Sequence, residues 1–179
     1  MATFEDVMEL EITEFFQYVE KIRYGYQDKS GKLHFSSDED FTVCEYAFSS
    51  PEDVVKNNCA WCWDVAELIK VYCIRHSLTC RSWFMEYFSD DLHQTHTQVF
   101  LFLNGKWCPA PDNSLGLMLG EPSFEESDSC VDWFVGLFTE HLRSVLGDKF
   151  DEEYLLIKEY TRTFARGISD EEYLMQIRQ

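Results

Sequence analysis

Cys62, His96 and Asp112 are the residues of this sequence whose types and order suit nucleophilic acyl chemistry. The run CWDVAELIKVYCIRH sets Ala66, Ile69, Tyr72 and Cys73 on one stripe, so the spacing predicts a buried helix starting at or near Cys62. A thiol in a first helical turn sits among backbone N–H groups that lack intrahelical partners, and these favour the thiolate that attacks a carbonyl. Such a thiol needs a base, and histidine titrates near neutrality; a third group must hold the ring in one tautomer. His96 lies at the start of an apolar run, and Asp112 follows the segment expected to pair with that run. No other carboxylate stands between Gly105 and Gly120.

The same residues admit other chemistry. Cys59-x-x-Cys62 and His93-x-x-His96 are two short-spaced pairs that together can supply four tetrahedral zinc ligands, although neither stands in a knuckle or on a helix-borne histidine pair. A redox reading of Cys59-x-x-Cys62 lacks the strand that leads into a thioredoxin-like unit. A cysteine that fills a core is the plainest alternative, and Asp112 in Pro-Asp-Asn-Ser is an ordinary turn aspartate.

The elements that must position these groups follow from periodicity. Thr3 and Asp6 form a capping box for a first helix whose inner face is Met8, Ile12, Phe15, Phe16 and Val19. Asp28-Lys29-Ser30-Gly31 is a hairpin turn between two aromatic-rich runs, FTVCEYAF reads as strand or helix, and Ser50-Pro51 marks a boundary. TCRSWFMEYF and THTQVFLFL read as strands joined by the loop SDDLHQ. Asn104-Gly105 turns the second strand into a short partner at about 106–110, which Pro109 and Pro111 confine to an edge. Val131, Phe134, Val135, Phe138, Leu142 and Val145 predict a helix closed by Gly147; a further helix is expected from Asp151, and Ser169 with Glu172 caps a last one. The expectation is one α+β domain over 1–179, with a core at about 20–115 and a C-terminal helical segment at about 128–179.

Composition bounds the partners. The 179 residues are 45% hydrophobic with four prolines and eight glycines, enough for a packed core. Thirty-three acidic residues against fifteen basic ones give a formal charge of -18, which repels nucleic acids and anionic membrane surfaces. The start, MATFEDVMELEITEFF, has no basic segment followed by an apolar one, and no stretch has the length to span a bilayer. A cytoplasmic protein is therefore expected. Its seven cysteines, an odd number, are expected as thiols rather than disulfides.

The segment Asn57-Asn58-Cys59-Ala60-Trp61-Cys62-Trp63-Asp64-Val65-Ala66 is followed by His96-Thr97-Gln98-Val99-Phe100 and by Gly105-Lys106-Trp107 through Asp112. In this order the motifs resemble the transglutaminase-like superfamily of papain-type cysteine enzymes. Tyr24-Gly25-Tyr26 and Ser50-Pro51-Glu52 are similar to its bacterial and phage-type members of unassigned substrate. The resemblance covers about residues 20–115. It implies a central antiparallel sheet packed against the cysteine-bearing helix, with Cys62 as nucleophile, His96 as base and Asp112 as orienting acid. It also implies a protein, peptide or other acyl substrate, a thioester intermediate, and no metal or other cofactor. The backbone N–H of Cys62 would be one oxyanion donor and Asn58 a candidate for another, with Trp61, Trp63 and Trp107 as possible walls. Two positions depart from the family pattern: Trp61 stands where glycine is usual, which narrows the entrance, and Cys108-Pro109-Ala110-Pro111 replaces a regular strand. A binding module that keeps the fold without turnover is the competing reading.

Overall fold

The helix that starts at Cys62 is wrapped by the rest of the chain. In the computed structural model, which describes residues 2–39, 41–42, 45–161 and 168–178, this helix buries every side chain from Cys62 through Lys70. It is α4 by chain order and spans Cys62–Arg75. Three charged residues in that stretch are buried with partners, as burial demands. Asp64 accepts from the backbone N–H groups of Ser49 at 2.9 Å and Trp61 at 3.4 Å, and Lys70 donates to Glu67 at 2.8 Å.

The N-terminal elements pack on the far end of α4. The reciprocal Thr3–Asp6 cap forms at the start of α1 (Phe4–Met8). The single helix expected through Val19 is instead two, with α2 at Ile12–Val19. Side chains of α4 hold the break. The Tyr72 hydroxyl donates to the Leu10 carbonyl at 2.8 Å, and Arg75 reaches Glu5 at 2.8 Å as well as Glu9. Phe15 stacks on Tyr72 with ring centroids 3.7 Å apart.

A small sheet then leads the chain into α4. β1 (Arg23–Gln27) and β2 (Leu33–Phe35) form the expected hairpin, with Asp28 accepting from the N–H groups of Ser30 and Lys32 and Gly31 at φ +92°. The expectation for FTVCEYAF falls partly on Val43 and Cys44, outside the described residues; Tyr46 and Ala47 make isolated bridges to Asp28 and Ser169. α3 (Pro51–Asn57) starts at the Ser50 cap and ends at Asn58 in the left-handed region. β3 (Cys59–Ala60) runs parallel to β1, with Tyr24 opposite Ala60, and Trp61 carries the chain into α4.

The main sheet has four strands, β4 (Cys80–Phe88), β5 (His93–Leu103), β6 (Lys106–Pro109) and β7 (Leu155–Tyr160), in the order β6-β5-β4-β7. Every neighbouring pair is antiparallel. Asn104 and Gly105, at φ 53° and 82°, make the predicted β5–β6 turn, and β6 takes the edge as its prolines require. Alternation along the strands sorts the faces. Val99 and Leu101 of β5 pack with α4, whereas Phe100 packs with Met85, Tyr87 and α5 (Ser127–Leu146). Phe84, also on the α4 side, meets α6 (Asp170–Arg178), whose Ser169–Glu172 cap forms as expected. Among the described residues, no helix is long and apolar enough to cross a membrane.

Two expectations for the C-terminal third are corrected. The helix expected from Asp151 is a 3-10 turn at Glu152–Tyr154 followed by β7, so the segment is not wholly helical. The open edge of β4 decides this: Leu155 and Ile157 join the α5 side of the core, Tyr160 joins the other, and Arg81 clamps Glu159 through two hydrogen bonds at 2.7 and 2.8 Å. Val145, expected on the buried stripe, is 56% exposed.

Gly25 supplies a test of this frame. A Cβ built there lies 2.1 Å from the His34 carbonyl oxygen across the β1–β2 pair. Gly25→Ala must displace backbone and is expected to cost about 2 kcal/mol or more in urea unfolding. Wild-type stability in the variant would show that the two strands do not approach so closely.

Candidate active site

The edge of β5 sets the geometry. β6 pairs with β5 only from Phe100 to Leu103, and one more backbone bond, from Ala110 N–H to the Val99 carbonyl at 2.8 Å, extends the contact. Beyond it, the sulfur of Cys62 comes to this edge and accepts from the backbone N–H of Thr97, with a further hydrogen bond from that of Trp63. His96 is the next residue along the strand, on the face that carries α5, and its ring stacks on Phe134 at 5.4 Å.

His96 and Asp112 come together. Nε2 of the ring is 3.7 Å from Asp112 Oδ2 and 3.5 Å from Gln98 Oε1. The Gln98 amide is oriented unambiguously because its Nε2 donates to two carbonyls, those of Val99 and Ala110, each at 2.8 Å. Its oxygen must then face the imidazole. Both oxygens lie on the Nε2 side of the ring, which favours the tautomer with its proton on Nε2 and Nδ1 as the basic nitrogen.

Asp112 is fixed by its own turn. Oδ1 accepts from Ser114 N–H at 2.7 Å, the Ser114 hydroxyl at 2.9 Å and Leu115 N–H at 2.9 Å, while the buried Oδ2 makes no hydrogen bond. The neighbouring Asn113 donates to the Ala60 carbonyl at 2.9 Å, tying this turn to the strand that leads into α4.

Two cavities adjoin here. One, of about 260 Å³, has Cys62, Trp61, Trp63 and Leu174 in its walls; the other, of about 240 Å³, has His96, Leu115 and Phe134. Tyr24, Gln94 and Thr95 line both. Burial pushes the Tyr24 hydroxyl well above its usual range, with Cys62 and Asp112 adding to the effect. Trp61 packs against Tyr26 and Tyr46 at 4.8 and 4.9 Å.

Burial opposes the thiolate expected at the helix start. Cys62 is 4% exposed, and desolvation raises its thiol above the ordinary value, outweighing the hydrogen bonds from Thr97 and Trp63. Desolvation also lowers His96, against the opposing pull of Asp112 and Gln98. Both shifts favour the neutral forms, a thiol at Cys62 and an imidazole at His96, and the two side chains line different cavities.

Several expectations are redrawn. Asn58 is the left-handed end of α3 and lines a different cavity, with Arg23 and Val55, so it is not an oxyanion donor for Cys62. Trp107 packs on Phe102 at 5.4 Å and bridges Phe124, not on the Cys62 cavity. Among the described residues, no group of three or more His, Cys, Asp or Glu side chains is placed to hold a metal ion. The reason is periodicity: His93 and His96 share a strand, where residues three apart point to opposite faces, and His93 Nε2 lies 2.8 Å from Glu86 instead. Tyr24, Gln98 and Asn113 were not picked out from the sequence; the glutamine two residues past His96, on the same strand face, was a usable signal.

No family model matches this chain, and no curated protein matches it.

Two measurements follow. Cys80 is partly exposed and its thiol is held below the ordinary value by Cys73, whereas burial raises Cys59, Cys62, Cys108 and Cys130. Iodoacetamide near pH 7 is expected to label Cys80 at least about tenfold faster than Cys62, read by peptide mass mapping; preferential labelling of Cys62 would contradict the neutral resting pair. Burial also lifts the Asp64 carboxyl from 3.8 to about 7. The unfolded chain therefore releases this proton first, so its stabilising contribution is complete below about pH 4 and is lost as pH rises towards 7. In denaturant titrations, Asp64→Asn should gain on the wild type across that interval by on the order of a few kcal/mol; a constant difference would refute the raised carboxyl.

Proposed function

We propose that the protein is a cysteine-dependent acyl-transfer or amide-hydrolysing enzyme of papain-like, transglutaminase-like architecture, with Cys62 as nucleophile, His96 as base and Asp112 as orienting acid. The observation that carries the reading is the oriented imidazole. Asp112 Oδ2 and Gln98 Oε1 flank Nε2, which leaves Nδ1 as proton acceptor, and the adjacent residue, Thr97, donates its backbone N–H to the Cys62 sulfur.

From a neutral pair, proton transfer accompanies attack. The Cys62 proton passes to His96 as the sulfur bonds to the substrate carbonyl carbon, and the carbonyl oxygen becomes an oxyanion. The Cys62 backbone N–H at the start of α4 and the Tyr24 hydroxyl, which lines the same cavity, are the candidate donors to it. His96 then protonates the leaving group as the tetrahedral adduct collapses to a thioester. Water or an amine attacks the thioester, His96 takes the proton of that nucleophile, and the thiol is restored. The two adjoining cavities suit a protein or peptide substrate lying across Gln94 and Thr95, with acyl and leaving portions on either side.

A second reading has one observation in its favour. The deep burial of Cys62 and its raised pKa suit a packing residue in a non-catalytic binding module of the same architecture.

A panel of p-nitrophenyl esters, followed by release of chromophore and by intact mass, separates the two. The enzyme reading expects an acyl adduct on Cys62, absent in Cys62→Ala, slowed about a hundredfold or more in His96→Ala and about tenfold or more in Asp112→Asn. Tyr24→Phe should lower the rate of acylation while leaving the fold intact. Identical release by wild type and Cys62→Ala, with no adduct, would leave the binding module.

A further inference from the structure

The parallel pairing of β1 with β3 brings two cations to one cavity. Arg23 opens β1 opposite Cys59 and donates its backbone N–H to the Asn58 carbonyl at 3.3 Å, so it lies beside the last turn of α3, which carries Lys56. Arg23 and Lys56 both line a cavity of about 520 Å³, with Tyr18, Asn57 and Asn58 in the other walls and no carboxylate side chain in the lining. The Arg23 guanidinium lies over the Phe35 ring, 3.2 Å from its centroid. Stacking of this kind fixes the plane of the fork and turns its N–H edge towards in-plane acceptors.

Acids are abundant in this chain, thirty-three against fifteen bases, and bases elsewhere on its surface find them. Lys29 meets Glu45, Lys106 meets Glu125, Arg143 meets Glu152 and Lys149 meets Asp91, all at 2.7 to 3.0 Å. Among the described residues, neither Arg23 nor Lys56 forms such a pair, although they share a cavity. We propose that this cavity binds a small phosphate monoester, with Arg23 and Lys56 holding the phosphate.

The ligand class follows from charge and size. A phosphate monoester carries about -1.5 to -2 charges near pH 7, which two cations offset. The Arg23 fork can donate two parallel hydrogen bonds to phosphate oxygens, and Lys56 acts as a point charge. The cavity falls within the roughly 300–1,000 Å³ usual for small-molecule sites, so an organic body fits beside the phosphate, against Tyr18 and Val55. The overall acidity of the chain does not forbid this. Its carboxylates are screened beyond about 8 Å at physiological ionic strength, and a compact ester stays inside a cavity walled by cations. A nucleic acid or an anionic lipid surface would instead extend over the acidic exterior. The site is independent of the acyl chemistry proposed for Cys62.

The test titrates phenyl phosphate into the full chain at constant ionic strength, followed by calorimetry and by backbone amide chemical shifts. Saturable binding is expected with a Kd of about 1 mM or tighter, and the shifts should move at Lys56, Asn57 and Asn58. Arg23→Gln and Lys56→Gln should each weaken binding about tenfold or more, with Arg23→Lys, which keeps the charge and loses the fork, in between. Both side chains are exposed, and thermal unfolding checks that the variants remain folded. Lys106→Gln, which removes a cation already paired with Glu125, should leave the affinity unchanged. Inorganic phosphate should bind more weakly than phenyl phosphate, and benzoate more weakly still. The proposal is overturned by absence of saturable binding, by shifts confined to other parts of the chain, by equal affinity in the Arg23→Gln/Lys56→Gln double variant, or by benzoate binding as tightly as phenyl phosphate. Vesicles containing a phosphatidylinositol phosphate that capture the wild type and not Arg23→Gln would assign the two cations to a lipid headgroup and overturn it as well.

Discussion

Strand β5 is longer than the strand beside it, and the candidate site occupies the difference. Pro109 and Pro111 lack the N–H groups that would carry β6 further, so its ladder ends opposite Phe100. The uncovered backbone still needs partners. Ala110 N–H and the Gln98 side chain supply some, the Cys62 sulfur takes the Thr97 N–H, and the turn at Asp112 closes over His96. A regular β6 reaching past Val99 would satisfy the same amides and leave no place for the start of α4 at the sheet edge. The irregular segment Cys108-Pro109-Ala110-Pro111 is therefore what leaves room for the helix-borne thiol at the edge of the strand that carries His96.

That placement has an electrostatic cost. A helix start and two N–H donors stabilise sulfur as an anion, but withdrawal from water acts more strongly in the opposite sense at Cys62 and also at His96. What remains after the two effects is orientation. Gln98 and Asp112 both face Nε2 and so favour the proton on that ring nitrogen. The aromatic packing around Trp61 and Trp63 keeps water out of this region, with Tyr46 lying 4.9 Å from each. The groups that bury the thiol and those that set the ring are thus different: the aromatic cluster encloses Cys62, whereas Phe134, Gln98 and Asp112 hold His96.

Much of this arrangement was legible in the residues. Asn104-Gly105 sets the β5–β6 turn, the stripe from Ala66 to Cys73 sets α4, and Asp28 through Gly31 sets the small hairpin, because each depends on local φ preference or on periodicity. The choice of Cys62, His96 and Asp112 leaned on the resemblance as well as on these elements, and of the three the structure brings His96 and Asp112 to 3.7 Å. What escaped was non-local. Leu155-Leu156-Ile157 is short and apolar, and only the vacant edge of β4 makes it a strand. The break between α1 and α2 depends on Tyr72 and Arg75, more than sixty residues away. Burial at Cys62 comes from α6 and the aromatic cluster as well as from α4 itself, so no window around the cysteine could reveal that its thiol is held neutral.

The last helix also belongs to the cavity. Leu174 of α6 stands in the wall beside Cys62, the Tyr173 hydroxyl lies 3.3 Å from that of Thr97, and Arg178 reaches the buried Glu86 of β4 at 2.8 Å. A chain still being synthesised, with everything through α5 already outside the ribosome, would hold its thiol beside an unwalled sheet whose β4 edge is bare. The withdrawal of this thiol from water therefore depends on a wall contributed more than a hundred residues further along the chain.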